Sequence, residues 1–245
     1  MDALILAAGF SRRLEPLTLT RAKPLLPVRG RPMIDYVLEK IQRIQSPHRT
    51  FVICNAKFHA GFLVWGRQHP GVVIVNDGTT HNDERLGAVG DIDLVIRSQR
   101  VEEDFLVVAG DNLFDAGLDA FANEAAAHRP MVSIGVVNLG DRELIRKRYG
   151  VVDMDPAGRV TAFYEKPDEP PTTLVSTGIY YFPASALGVI RAYVESGANR
   201  DNSGHLIQAM VQRPGVHGAL LTGRWYDIGD LASYQLADRT FHQPQ

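Results

Sequence analysis

The sequence predicts an α/β fold: a mainly parallel, mixed sheet covered by helices on both faces and extended by antiparallel strands in its second half. Three features carry that prediction. Apolar, β-branched runs alternate with helix-periodic stretches through the first half of the chain. The first of these runs opens directly into a small-residue loop, Ala8-Gly9-Phe10-Ser11. After Pro130 the strand-like runs crowd together, and turn signals such as Asp155-Pro156-Ala157-Gly158 stand where helices stood before.

Strands are expected over residues 3–8, 51–55, 72–76 and 105–109. Between the first two, Ile34, Val37, Leu38, Ile41 and Ile44 recur at helical spacing, with Glu39, Lys40, Gln42 and Arg43 on the other side. Pro32 suits the first turn of that helix, which should end before Pro47. Further helices are expected over 58–68, 86–98 and 118–128. Strands joined by helices in this way run parallel, because a parallel connection needs a crossover, and a Rossmann-like sheet follows. Later strands are expected over 131–138, 149–154, 160–165 and 174–182, as an extension of the same sheet. In such sheets ligands bind at the carboxyl ends of the strands, where the Gly9 loop and Asp111 both emerge.

Composition bounds the function. A chain of 245 residues with 45% hydrophobic and 22% charged residues supports one sizeable domain, here residues 1–240, rather than two independent ones. Residues 241–245 read as a loose tail. A net charge of −2 gives no electrostatic reason for nucleic acid or an anionic membrane as partner. The single cysteine, Cys54, excludes an internal disulfide, and its apolar neighbours Phe51, Val52 and Ile53 predict a buried thiol. The histidines show no metal-ligand spacing, so zinc is not expected. No apolar run approaches the roughly 18 residues needed to cross a bilayer, and the first residues do not have the form of a secretory signal. A cytoplasmic location is the resulting expectation.

The chemistry concentrates in a few segments. Backbone N–H groups of Ala8, Gly9 and Phe10 can cradle phosphate oxygens, with Arg13 and Lys23 supplying positive charge; the plainer alternative is a tight turn with a solvated basic rim. The strand ending at Ala109 runs into Gly110-Asp111-Asn112, and Asp227 stands in Trp225-Tyr226-Asp227-Ile228-Gly229. Each aspartate reads as a helix N-cap or turn residue, or as a metal ligand; together they suit one divalent ion with substrate phosphates. Tyr149-Gly150-Val151-Val152, Glu165-Lys166-Pro167 and Ser176-Thr177-Gly178-Ile179-Tyr180 follow in order.

Taken together, Leu6-Ala7-Ala8-Gly9-Phe10-Ser11-Arg12-Arg13-Leu14, Pro16-Leu17-Thr18, Lys23-Pro24-Leu25-Leu26-Pro27-Val28 and those later segments resemble the sugar-1-phosphate nucleotidylyltransferases, the thymidylyl- and uridylyltransferase-like enzymes of glucose 1-phosphate. The resemblance runs from Leu4 to about Tyr234. It implies a GT-A-like variant of the Rossmann-like sheet, with a nucleotide-binding half over 1–128 and a sugar-phosphate-binding half over 129–240. Nucleotide contacts would fall on Leu6, Ala8, Gly9, Phe10, Ser11, Arg12, Arg85 and Gly87. Sugar-phosphate contacts would fall on Tyr149, Gly150, Glu165, Lys166 and Gly178. Arg13 would stabilise the departing β,γ-phosphates and Lys23 would bridge the α-phosphate and the incoming group. Lys166 would hold the sugar phosphate, and Asp111 and Asp227 would bind Mg²⁺. Two positions depart from the family pattern: Ser11 replaces a usual glycine and Arg12 a usual small hydroxyl residue. The segment from Asp77 to Gly87 differs from the Gln…Gly-Leu-Ala pattern that reads the base in thymidylyl- and uridylyltransferases, so base preference does not carry across. Arg85 reads equally as a base or phosphate contact and as a surface arginine.

The activity implied is attack by a sugar 1-phosphate oxygen on the α-phosphorus of an NTP, with dTTP or UTP and glucose 1-phosphate as defaults. Alternatives are a cytidylyl- or guanylyltransferase for phosphocholine or a heptose 1-phosphate, and a non-catalytic NDP-sugar sensor. A glycosyltransferase is disfavoured, because its Asp-x-Asp would need an acid where Leu113 stands. Relatives often carry an appended acyltransferase or β-helix domain, so a stand-alone catalytic domain is expected here. Homo-oligomers are common among relatives.

Overall fold

The first apolar run becomes strand β1 (Asp2–Leu6), the axis of the sheet in this computed structural model, which describes residues 1–44 and 48–241. A short antiparallel pair, β2 (Pro27–Val28) and β3 (Arg31–Pro32), leads to helix α1 (Met33–Gln42). Then come β4 (Thr50–Cys54), α2 (His59–Gly66), β5 (Val72–Asn76), α3 (Gly87–Ser98) and β6 (Phe105–Ala109). Parallel pairing joins β1 to β4 and β6, and β4 to β5, with Leu4 opposite both Phe51 and Val107. The crossovers anticipated from the alternating pattern are therefore present.

Side chains alternate across these strands and build a core on each face. Ala3 and Ile5, with Val52, Leu106 and Val108, meet Ile34, Val37, Leu38 and Ile41 of α1 and Phe62 and Trp65 of α2. Leu4, with Phe51, Ile53, Phe105 and Val107, meets Val89, Ile92 and Val95 of α3 on the opposite face. Burying each such Ile, Leu or Phe contributes roughly 1.5–3 kcal/mol, so the helical stripe of α1 is what docks it.

The second half begins with β7 (Asn112–Phe114) and α4 (Leu118–Ala127), followed by β8 (Val132–Asn138), the short α5 (Arg142–Ile145), β9 (Gly150–Met154), β10 (Val160–Glu165) and β11 (Leu174–Phe182). The antiparallel extension is formed by β11, which pairs with β6, β8 and β9, and by β9 with β10. The chain closes through α6 (Leu187–Glu195), α7 (Ser203–Met210), β12 (Val216–Leu220), β13 (Trp225–Asp227) and α8 (Leu231–Thr240). The main sheet runs β10-β9-β11-β6-β1-β4-β5, with β8 branching from β11 and β12 adding to β8 in parallel. The fold class is thus the expected one, a mixed sheet with helices on both faces.

Differences lie at the edges. Pro32 precedes the first helical residue instead of occupying the first turn, and α1 stops at Gln42; Pro47, expected to bound it, lies outside the described residues. Phe241 is not part of a loose tail: it is 1% exposed and packs edge-on against Tyr36 and Tyr226 at 5.0 and 5.7 Å. The remaining tail positions, 242–245, lie outside the described residues. Among the described residues no helix is long and apolar enough to cross a membrane.

Candidate active site

In the sheet β1 is followed by β4 on one side while β6 borders β11 on the other, the strand-order reversal at whose carboxyl ends ligands bind in such folds. The β1 loop is a nest of free donors. From Ala8 to Arg12 the backbone N–H groups have no protein acceptor among the described residues. Ser11 adopts φ 49°, a left-handed conformation that glycine takes without strain. It is held there by Leu14 N–H and Thr18 Oγ1, which donate to its carbonyl at 3.0 and 2.9 Å. Buried Asn55 fixes the loop from below, its Nδ2 donating to Ala8 O at 2.8 Å.

Asp111 follows β6 directly, at the turn into β7, and Lys23 crosses to it from a short 3₁₀ turn (Lys23–Leu25). Lys23 Nζ pairs with Asp111 Oδ2 and also donates to Ile228 O at 2.6 Å. Asp227 arrives from the far end of the chain because β13 pairs with β7, with Asp227 opposite Asn112. Neither aspartate is a helix N-cap: Asp227 ends a strand, and Asp230 caps α8 by accepting from Ser233 N–H at 2.8 Å. Burial raises the Asp227 carboxyl above the ordinary carboxylate range, and the charge of Asp111 adds to it, while Lys23, Arg148 and Arg13 oppose. Arg13 stands close by: a Cβ on Gly229 would lie 3.8 Å from its guanidinium.

The later segments, expected to face the sugar phosphate, meet these acids in one cleft of about 220 Å³. Its walls carry Asp111, Asp227, Tyr149, Gly150, Glu165 and Gly178. Lys166 reaches it through Glu165 at 3.3 Å and through Asn202 Oδ1 at 3.2 Å. Burial and the neighbouring Asp227 carboxylate push the Tyr149 hydroxyl up to about 12. Gly178 has φ +75°, and a Cβ there would sit 3.3 Å from Ala109 Cβ and Asn112 Nδ2. A Cβ on Gly150 would overlap the Phe163 ring.

The remaining expected nucleotide contacts are spread more widely. Leu6 ends β1, and Phe10 and Arg12 line a neighbouring hollow of about 550 Å³ with Lys57, Thr80, His81 and Asn82. Arg85 forms an exposed ion pair with Asp201 at 2.7 Å. Gly87 opens α3 at φ +80°, pressed against the Arg200 carbonyl, while Ala88 and Val89 N–H donate to Asp201 O and Arg200 O at 3.2 and 3.0 Å. The two halves of the site are therefore joined at this point.

Several cleft residues escaped the sequence reading. Asn112 is buried, donates to Thr177 O, and accepts from Trp225 Nε1 at 3.0 Å, so it ties β7 to β11 and β13. Asp201, Asn202, Ser203 and Gly204 line the far wall, and a Cβ on Gly204 would overlap the Glu165 carboxylate. The polar run Asn199-Arg200-Asp201-Asn202-Ser203-Gly204, which leads into α7, was the available signal. Arg148 adjoins the recognised Tyr149-Gly150 pair.

A family model described as "Nucleotidyl transferase" matches residues 2–243. The chain is 27% identical over 229 residues to the bifunctional protein GlmU of Methanocaldococcus jannaschii, covering 94% of this chain and 51% of that protein. It therefore spans about half the length of the GlmU relatives it matches. A UTP–glucose-1-phosphate uridylyltransferase, AglF of Haloferax volcanii, is 26% identical over 246 residues, with 98% of each chain covered. A glucose-1-phosphate thymidylyltransferase of Streptomyces antibioticus is 26% identical over 242 residues, covering 98% of this chain and 66% of that one. A crystal structure assigned to a glucose-1-phosphate thymidylyltransferase of Bacillus anthracis superposes with a TM-score of 0.84 at 21% identity, covering 100% and 98% of the two chains. A UDP-glucose pyrophosphorylase complexed with UDP-glucose gives 0.80 at 17%, with 97% of each covered. At these identities the two structures speak to the fold.

Proposed function

Because the chain belongs to the nucleotidyl transferase family, we propose that it couples a nucleoside triphosphate to a sugar 1-phosphate, giving an NDP-sugar and pyrophosphate. The observation that carries this reading is the meeting of Lys23, Asp111 and Asp227 between a nest of free N–H donors and a polar cleft. The default substrates are dTTP or UTP and glucose 1-phosphate; of two relatives, one is named a glucose-1-phosphate thymidylyltransferase and the other a UTP–glucose-1-phosphate uridylyltransferase.

In the reaction an oxygen of the sugar phosphate forms a bond to the α-phosphorus, and the bond from that phosphorus to the pyrophosphate oxygen breaks. The nucleophile is already anionic near neutral pH, so no general base is required. Catalysis reduces to positioning and charge neutralisation. The N–H nest of Ala8 to Arg12 and the Arg13 guanidinium receive the β,γ-phosphates that leave. Lys23, held between Asp111 and the Ile228 carbonyl, delivers its charge to the α-phosphate. Lys166 holds the sugar phosphate. Glu165 accepts hydrogen bonds from sugar hydroxyls, and Gly150 and Gly178 let the backbone approach the ring.

Asp111 and Asp227 would hold Mg²⁺. The donor chemistry fits: two carboxylates supply hard oxygen ligands, and Mg²⁺ commonly takes one or two carboxylates with water and substrate phosphate oxygens for the rest. Such an ion would offset negative charge at the α-phosphate.

The test is a pyrophosphate-release panel with Mg²⁺, crossing dTTP, UTP, CTP, GTP and ATP with several sugar 1-phosphates. Release that requires one nucleotide and one sugar phosphate together supports the proposal and names the product. Silence with every pair contradicts it.

A further inference from the structure

The cations around the cleft are mostly paired. Lys23 is held by Asp111, Lys166 lies 3.3 Å from Glu165, and Arg85 lies 2.7 Å from Asp201. Arg148 differs. It lines the same cleft, yet its side chain makes no hydrogen bond or close ion pair among the described residues. Its guanidinium carbon stands 5.3 Å from the centre of the Tyr149 ring. Tyr149 packs edge-on against Trp225 at 5.3 Å, and Trp225 is anchored on Asn112. Stacking of this kind orients a guanidinium while leaving its five N–H donors free.

The surroundings indicate what those donors are for. The cleft walls carry Asp111, Glu165, Asp201 and Asp227, all acidic, and Arg148 is the one basic residue among the wall residues. A phosphate entering this cleft meets mostly like charge unless a cation accompanies it. The charge of Arg148 already reaches Asp227 and Asp230, favouring the ionised form of each. The Arg13 side chain also has no hydrogen-bond or ion-pair partner among the described residues, but it leaves from the β1 loop on the nucleotide side, whereas Arg148 immediately precedes β9 on the sugar side.

We infer that Arg148 is a phosphate-binding residue for the sugar 1-phosphate, presenting a planar fork that complements the point charge of Lys166. The inference rests on the proposed function and adds to it a second cation on the incoming phosphate. A bidentate guanidinium fixes orientation as well as charge, so Lys at this position is an incomplete substitute.

Two experiments test it. In wild-type protein, phenylglyoxal labelling of Arg148 is followed by peptide mass spectrometry with glucose 1-phosphate, N-acetylglucosamine 1-phosphate or mannose 1-phosphate present, each against its parent sugar. The phosphorylated substrate is expected to protect Arg148 and the parent sugar to leave it reactive. With the active pair from the pyrophosphate panel, Arg148→Ala is expected to raise KM for the sugar phosphate at least tenfold and KM for the nucleotide less than twofold, with Arg148→Lys recovering part of the loss. An active wild-type enzyme whose Arg148 is labelled equally with and without every sugar phosphate overturns the inference while sparing the proposed function. So does an Arg148→Ala variant whose two KM values move together. A wild-type protein silent with every pair overturns the proposed function, and the inference with it. Should Arg148→Ala fail to fold, the labelling of wild-type protein decides alone.

Discussion

Asp227 stands opposite Asn112 in the β7–β13 pairing, and this register sets its carboxylate beside that of Asp111, in the other half of the chain. Two like charges in a half-buried cleft destabilise the fold for the sake of the site. Asp227→Asn is therefore expected to leave stability unchanged or raise it near neutral pH, and to cut kcat/KM at least 10²-fold. Thermal melts and steady-state rates on one preparation check both halves. An Asn variant that is both less stable and fully active contradicts the assignment.

In the proposed reaction Lys23 and Arg13 would supply charge from the nucleotide side. Replacing either with Ala is expected to lower kcat/KM by 10²-fold or more, about 3 kcal/mol of transition-state stabilisation each. Lys23→Ala should do more damage to the fold, since it also abandons Asp111 and the Ile228 carbonyl. Circular dichroism beside the kinetics separates the two effects.

Gly204 leaves room for Glu165, which lies against its open face. Gly204→Ala is expected to displace the Glu165 carboxylate and raise KM for the sugar phosphate, with little change for the nucleotide. Substrate-resolved KM values check this, and equal changes in both would show that the contact is structural only.

Asp91, buried in α3 with one oxygen lacking a partner among the described residues, is pushed up to about 8 by burial and by the charge of Asp77. Its folded value lies above its unfolded one, so its favourable contribution is present in acid and is lost as pH rises from about 4 through about 8. Asp91→Asn should thus gain on wild type by roughly 2–3 kcal/mol between pH 5.5 and 8. Denaturant melts at the two pH values measure the difference, and a constant offset would contradict it.

Cys54 is buried in β4, and burial pushes its thiol up to about 12. It is expected to resist a disulfide reagent at pH 8 in the folded protein and to react fully in denaturant. Titration of free thiol before and after unfolding is the check.

Much of this architecture was legible in the sequence because its signals are local. The β-branched runs 72–76 and 105–109 became strands with those bounds, and the stripe from Ile34 to Ile41 became the buried face of α1. The β1 loop announced itself by its small residues and by the arginines after it. What escaped depended on tertiary pairing. Asn112 gives no hint in sequence that it joins Thr177 to Trp225, and nothing in Phe241 indicates the pocket between Tyr36 and Tyr226. Arg85 was legible as a cation but not as the partner of Asp201, which the fold alone brings near. The wall from Asp201 to Gly204 drew no reading from the sequence, because its meaning lies in Glu165 across the cleft.

The most direct test of the central claim follows the oxygens. The enzyme is given a sugar 1-phosphate whose phosphate carries ¹⁸O at every position, together with unlabelled nucleoside triphosphate, and both products are weighed by mass spectrometry. Attack by the sugar phosphate on the α-phosphorus predicts an NDP-sugar that keeps all of the label and a pyrophosphate that carries none. Label in the pyrophosphate, or nucleotide cleavage without a labelled NDP-sugar, would contradict the account.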